Sequence, residues 1–252
     1  MSILIVNYHR TASDPRDARL HVLSDDEFDT QLKAIRASGL PVIASRRLCG
    51  GDRDNRELQI GITFDDGFKS DLRNAEKLSR QGWSATFFVS TANIGRPGYL
   101  DAYELKELSR MGMVIGSHSH DHVRLTTLPR DKAQENVRRS KEILEGILGT
   151  EVDRFAFPGG DHSAEVLRSI GDVRFRYAFG TAWGVNRYMP QHFEAVIRRN
   201  NAIHGMTQSE FANLISLKDS ARRQMKYWLR TAAFSLLPEG AYRRVRHMFV
   251  RR

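Results

Sequence analysis

LQIGITFDDGFKSD, residues 58 to 71, is the stretch whose reading decides how this chain folds. Its first seven residues are a short apolar run of strand length, the kind buried within a parallel sheet. Asp65 and Asp66 follow side by side, and Gly67 lets the chain turn sharply. Ser70 then opens SDLRNAEKLSRQG, a helical pattern closed by Gly82. Strand, acidic turn and helix in that order make one β/α unit.

The same order recurs on both sides. Upstream lie the strand ILIVNY (3–8), the helix SDDEFDTQLKAIRASG (24–39) and the strand LPVIAS (40–45). Ser24 is a plausible N-cap for that helix, and Phe28, Leu32 and Ile35 fall on one face of it. Downstream come the strands WSATFFV (83–89), MVIGS (113–117), RFAFP (154–158) and YAFGTA (177–182). Between them lie the helical patterns DAYELKELSRMG (101–112), RDKAQENVRRSKEILEGILG (130–149) and SAEVLRSIG (163–171). Alternation of this kind predicts an α/β fold, a mostly parallel sheet or barrel with helices outside, and chemistry gathered where strands end and loops begin.

Composition bounds the rest. A chain of 252 residues, 40% hydrophobic and 27% charged, suits one large α/β domain able to bury a sizeable core. We place the boundary at 1–218 for the catalytic body and 219–252 for a tail. Cys49 is the single cysteine, so no internal disulfide forms. No run approaches the roughly 18 apolar residues of a membrane span. MSILIVNYHRTASDP lacks a basic region before its apolar run, so it reads as a first strand, and the cytoplasm is the expected location. Of the net charge of +9, eight units fall between Arg222 and Arg252, where nine basic residues face the single acid Glu239. The body is therefore near neutral, which argues against nucleic acid as a partner of the fold and for a separate basic appendage.

Two strand ends carry chemistry. Asp65 and Asp66 form one: at a turn, neighbouring carboxylates can face one cavity with different tasks, one binding a metal and the other taking a proton from a nearby water. The other is IGSHSHDHVRL (115–125), with His118, His120 and His122 at every second position. On a strand all three imidazoles share a face, whereas on a helical turn only His118 and His122 pair. Either way two imidazoles converge, and two histidines with one carboxylate form a ligand set for metal catalysis.

Three motifs carry a family resemblance. TFDDG (63–67), HSHDH (118–122) and RFAFPGG (154–160), together with NYHR near the start and SEFANLI near the end, resemble the polysaccharide deacetylase family, also called the NodB homology domain or carbohydrate esterase family four. The resemblance covers roughly residues 1 to 215. It implies a distorted barrel of about seven β/α units and metal-dependent hydrolysis of an acyl group on a sugar. It further implies that Asp66, His118 and His122 bind one divalent ion, zinc first and cobalt, nickel or manganese as alternatives, that Asp65 is the general base, and that His120 is not a ligand. In FPGG the backbone donor to the developing oxyanion must be Gly159, because Pro158 has no N–H.

Several positions depart from the family pattern. The general acid is a late histidine in the family, for which His204 is the candidate here. Ala156 stands where the third motif usually has an arginine, so Arg154, Arg198 or Arg199 would orient Asp65 instead. The late Asp and Trp pair is not recognisable in GTAWGVN, although Trp183 could wall the pocket. His9 and His162 read as structural or pocket-lining. These departures resemble the branch of the family concerned with exopolysaccharide or surface-glycan synthesis.

The tail adds a second theme. Met225, Trp228, Leu229, Ala232 and Leu236 recur at helical spacing with Arg222, Arg223, Lys226 and Arg230 mostly elsewhere, and Pro238 ends the run. Such a basic amphipathic helix either lies on an anionic membrane surface or packs its apolar face on the barrel. The resulting expectation is a metal-dependent deacetylase of an acylated amino sugar, a nucleotide- or lipid-linked precursor, held at the inner face of the membrane. The alternatives are a deformylase acting on a lipid-linked formamido sugar and a non-catalytic metal-binding member serving as a membrane- or partner-binding module.

Overall fold

The computed structural model describes residues 2–18, 20–49, 57–187 and 195–218. The basic tail and its amphipathic helix therefore lie outside the described residues. In the body, β1 (Ser2–Tyr8) is followed by two short strands, β2 (Arg10–Ala12) and β3 (Val22–Ser24), and by helix α1 (Asp25–Ala37). Then come β4 (Leu58–Asp66), α2 (Ser70–Arg80), β5 (Thr86–Val89), α3 (Ala102–Arg110), β6 (Val114–Ser117) and α4 (Arg130–Leu148). The last elements are β7 (Arg154–Ala156), α5 (Ala164–Asp172), β8 (Tyr177–Phe179), β9 (Val185–Asn186), β10 (Asn200–Asn201) and α6 (Gln208–Ile215).

The main sheet runs β10-β1-β4-β5-β6-β7-β8, all parallel, with β9 antiparallel on β1. β1 and β4 pair along their length, from Ser2 opposite Leu58 to Tyr8 opposite Phe64. The sheet curls. Ile197 bridges Phe179 at the end of β8, and Asn200, three residues on, already pairs with Val6 of β1. The expected α/β barrel-like fold is thus present as a curled half-barrel, whose two edges meet at residues 197–201.

Strand alternation separates two apolar layers. Leu4, Val6, Tyr8, Ile60, Ile62 and Phe64 pack outward with Phe28, Leu32 and Ile35 of α1 and Leu78 of α2. Ile3 and Ile5 point inward, with Leu48, Cys49, Phe88, Phe179 and Ile197. On β4 the inward positions begin at Gly61, where a Cβ would stand 2.8 Å from Leu48 and 3.2 Å from Ile5. The inward series therefore continues to Asn7 on β1 and to Thr63 and Asp65 on β4. The barrel is apolar at the bottom and polar at the rim.

Helix α1 starts where its N-cap predicts: Ser24 accepts from the Glu27 N–H, and Glu27 bonds back to the Ser24 N–H. Two readings change. LPVIAS is not a strand, and only Val42 bridges β4, at Ile60. Pro41 accepts from the Ile60 N–H but has no donor of its own to extend the ladder. The parallel pair β2–β3, and strands β9 and β10, are too short to leave a periodic signal.

Candidate active site

The metal ligands expected from sequence meet at the strand-end rim. Register places Asp66 opposite Val89, and Val89 opposite Ser117, so β4 and β6 end at one level, with His118 next in the chain. The His118 N–H donates to the Val89 carbonyl at 2.9 Å. His122 Nε2 stands 2.9 Å and His118 Nε2 3.5 Å from Asp66 Oδ1, and one ligand atom from each residue lies within 4.8 Å of the others. His120 turns away, with Nδ1 on Thr91 Oγ1 at 2.7 Å and Nε2 3.6 Å from Asp121.

The segment 118–122 is neither strand nor helix. Ser119 and His122 adopt φ of 66° and 53°, and Asp66 adopts 83°, so three of the five non-glycine residues with positive φ among the described residues belong to or adjoin this cluster. Each such residue costs about 1–2 kcal/mol. Strain of this kind persists where surrounding bonds over-determine it. Here Ser119 Oγ accepts from the His122 N–H, and Asn136 of α4 accepts from the His120 N–H.

The donor set suits a divalent ion. His118 is buried and places Nδ1 2.8 Å from the Ala156 carbonyl, which must accept, so Nε2 carries the lone pair facing Asp66. Burial pulls the His118 pKa down to about 4, keeping the ring neutral near pH 7. Asp66 Oδ1 is buried and lacks any aligned hydrogen bond, although His122 is at hydrogen-bonding distance. Burial pushes the Asp66 carboxyl up, but His122, His9 and His118 outweigh it and hold it well below the usual carboxylate range. Two imidazoles and an ionised carboxylate, with one ligand atom of each within 4.8 Å of the others, are a ligand set for a divalent metal.

Asp65 occupies a different environment. It points inward, and Arg199 grips it with both nitrogens, at 2.6 Å from Oδ1 and 2.9 Å from Oδ2. Asn7 Nδ2 donates to Oδ2 at 3.0 Å, while Asn7 Oδ1 accepts from Thr63 Oγ1 and from Arg199. Arg199 is fully buried, donates to the Gly180 carbonyl and lies over the Phe88 ring. Burial works against the Asp65 carboxylate, yet Arg199, His118 and His9 hold its pKa below the ordinary value. The adjacent carboxylates are thus separated: Asp66 faces the imidazoles, and Asp65 is clamped as an anion.

Of the other expected site residues, all but Gly159 lie elsewhere. Arg154 starts β7, at the far end from the rim, and donates to the Ser45 and Arg46 carbonyls and to Thr86 Oγ1. Arg198 is exposed, because alternation turns its side chain opposite to that of Arg199. Trp183 borders a small cavity with Leu4, Asn200, Leu214 and Leu217, beneath α6. His204 sets Nδ1 2.9 Å from Glu27, at the capped start of α1, instead of joining the cluster. Gly159 follows β7 and is exposed, with φ 70°.

His9, read from the sequence as structural or pocket-lining, stands beside Asp65. It directly follows β1, and its Nε2 lies 4.0 Å from Asp65 Oδ2. His21 packs on it, with ring centroids 4.7 Å apart. The signal was the NYHR stretch at the end of a strand adjacent to β4. Asn7 and Thr63 were legible only through the inward alternation.

This chain belongs to the polysaccharide deacetylase family, whose sequence profile matches residues 52–178. Among relatives, it is 26% identical over 162 residues to YxkH of Bacillus subtilis, named provisionally as a polysaccharide deacetylase, covering 63% of this chain and 58% of that protein. It is 26% identical over 140 residues to the peptidoglycan-N-acetylmuramic acid deacetylase PdaA of Bacillus subtilis, covering 53% of this chain and 52% of the relative. The chain thus spans little more than half the length of these curated relatives. Two solved structures share the fold. The Streptococcus pyogenes deacetylase PplD in complex with acetate superposes with a TM-score of 0.74 at 20% identity, covering 85% of this chain and 98% of that one. The polysaccharide deacetylase BC0361 of Bacillus cereus superposes with a TM-score of 0.75 at 23% identity, covering 85% and 69%.

Proposed function

We propose that this chain is a metal-dependent hydrolase that removes the N-acetyl group of an amino sugar. The observation that carries this reading is the division of labour between adjacent carboxylates: Asp66 completes a three-ligand set with His118 and His122, while Asp65 is held ionised 2.6 Å from Arg199 and outside that set. A merely structural metal site has no use for Asp65. Zinc fits two nitrogens and one oxygen best, with cobalt, nickel or manganese as alternatives. A divalent ion bound there supplies Lewis acidity toward the acyl oxygen and lowers the pKa of water.

The chain's own residues do the rest. Asp65 accepts the proton of the attacking water, and Arg199 and Asn7 fix the direction in which its oxygens point. The Gly159 N–H is offered to the acyl oxygen as charge develops on it. His9 approaches Asp65 from the β1 side, whereas His118 approaches from β6, so His9 is placed to return a proton to the leaving amine. Acetate and a free amine result. His204, engaged by Glu27, takes a capping role in this scheme.

The acylated amino sugar is the substrate class. A nucleotide- or lipid-linked precursor of a surface glycan, handled in the cytoplasm by an enzyme whose basic tail touches an anionic membrane, is the finer form of the proposal. A formyl group in place of acetyl would be cleaved by the same attack. Acetate and formate release from acylated glucosamine oligomers, using metal-reconstituted protein, is the test. Asp65→Asn should retain metal and lose turnover by about 10²-fold or more, as a general base requires; activity within threefold of the wild type would remove Asp65 from that role. His9→Gln should lose far more rate than His204→Gln, and the opposite order would return the general acid to His204.

A further inference from the structure

Gly159 and Gly160, which follow β7, are consecutive left-handed residues with φ of 70° and 75°. Glycine adopts that conformation without steric penalty, so it lends the loop no stiffness of its own. The loop is held instead from two sides. Toward β8, Gly160 packs so closely that a Cβ would stand 2.0 Å from Thr181 Oγ1, and the Phe157 N–H donates to the Phe179 carbonyl at 3.0 Å. The His162 ring stacks on Phe157, with centroids 5.1 Å apart.

Toward β6 the hold is a single carboxylate. Asp161 Oδ2 accepts from Arg124 Nη2 at 2.6 Å, from Arg124 Nε at 3.1 Å and from Thr126 Oγ1 at 2.5 Å. Arg124 lies two residues past the metal ligand His122, and Asp161 two residues past Gly159. The donors are themselves fixed. Thr127 donates to the Arg124 carbonyl through Oγ1 at 2.7 Å and through its N–H at 3.0 Å, and Leu125 is fully buried. Three donors on one carboxylate oxygen, two of them from a guanidinium, make a charge-assisted tether with a set direction. Its side chains are 30% and 35% exposed, and a pair exposed to that degree adds little to folding stability. Its consequence is the place it gives the loop.

We propose that Asp161 is a positioning residue: through Arg124 and Thr126 it fixes the loop carrying the Gly159 N–H against the loop carrying His122, and so sets the gap that receives the acyl oxygen. This rests on the deacetylase reading and adds to it a residue that touches neither substrate nor metal. An oxyanion donor works only at about 2.7–3.1 Å from the oxygen as it becomes charged. A misplacement of about 1 Å can cost on the order of 10²-fold in rate. Because that oxygen carries charge only in the transition state, loosening the loop lowers kcat and leaves KM in place.

The test measures acetate release from N-acetylglucosamine oligomers per metal-loaded molecule of the full chain, with metal content from elemental analysis. Asp161→Ala should lower kcat by about tenfold or more, with KM and metal content within about threefold of the wild type. Arg124→Ala should show the same loss, and the double variant no more than either single one, because one tether is cut in all three. Asp161→Asn and Thr126→Val, which preserve side-chain volume, report in the same direction should alanine at 161 prevent folding. Asp29→Ala, which breaks the pair with Lys77 on the outer helices, should keep kcat. A phosphonamidate analogue of the tetrahedral intermediate, titrated calorimetrically, should lose affinity for Asp161→Ala by the factor seen in kcat. A lower melting temperature with unchanged kcat per metal-loaded molecule would make the pair merely structural and overturn the proposal. So would unchanged affinity for the analogue, or a double-variant loss equal to the product of the single losses. A wild-type protein that releases no acetate from any acylated sugar rejects the deacetylase reading and the positioning role with it, whereas wild-type turnover unaltered in Asp161→Ala rejects the positioning role alone.

Discussion

Replacing Arg199 by Met tests the clamp on Asp65 directly. The wild-type pair is buried, with side-chain exposures of 0% and 2%, and is bidentate. Truncating one partner leaves a buried carboxylate whose remaining hydrogen-bond donor among the described residues is Asn7 at 3.0 Å. Breaking such a pair costs about 3–5 kcal/mol at neutral pH. At roughly 2–4 °C per kcal/mol for a chain of this size, the melting temperature should fall by about 6–20 °C. The pH dependence follows from the shift of Asp65. In the wild type its folded pKa lies below the ordinary value, so its contribution is present above about pH 4 and lost as pH falls. In Arg199→Met burial is no longer opposed by the guanidinium, the folded pKa rises, and the variant loses stability as pH increases. The gap between the two proteins should therefore narrow from pH 7.5 toward pH 4.5. Thermal melts across that range, with chelator present so that metal binding does not contribute, measure it. A loss under 1 kcal/mol at pH 7, or a gap independent of pH, would refute the reasoning.

Two further outcomes follow from the same rim. His118→Ala should remove most bound metal while His120→Ala retains it, and elemental analysis of the purified variants giving the reverse order would dismantle the ligand assignment. Asp71, in α2, is fully buried, and both of its carboxyl oxygens lack an aligned hydrogen bond. Burial, Asp66 and Asp65 push its pKa well above the ordinary value despite the opposing Phe68 amide, so it costs stability progressively as pH rises from about 4. Asp71→Asn should raise the melting temperature at pH 7–8 by about 2–4 °C, the equivalent of ~1 kcal/mol, and a lower melting temperature there would contradict the assignment of a buried, destabilised acid.

What could be read from the sequence was local. Apolar runs of strand length, glycine-closed helices and the Ser24 cap are set within a few residues of chain, and they sufficed to place Asp65, Asp66 and the histidines at strand ends of an α/β fold. The pairing of His118 with His122, apart from His120, depends on a turn with two left-handed residues, a geometry that neither strand nor helical periodicity describes. Choosing among Arg154, Arg198 and Arg199 was beyond local reasoning. Arg199 and Asp65 are 134 positions apart, and they meet only because the sheet curls until residues 197–201 lie between β8 and β1. The same closure turned His204 onto Glu27 and left His9, at the end of the strand beside β4, within 4.0 Å of Asp65. Side-chain direction along each element follows from backbone period, which sequence carries; which two strand ends become neighbours follows from sheet order and curl, which only the packed core decides.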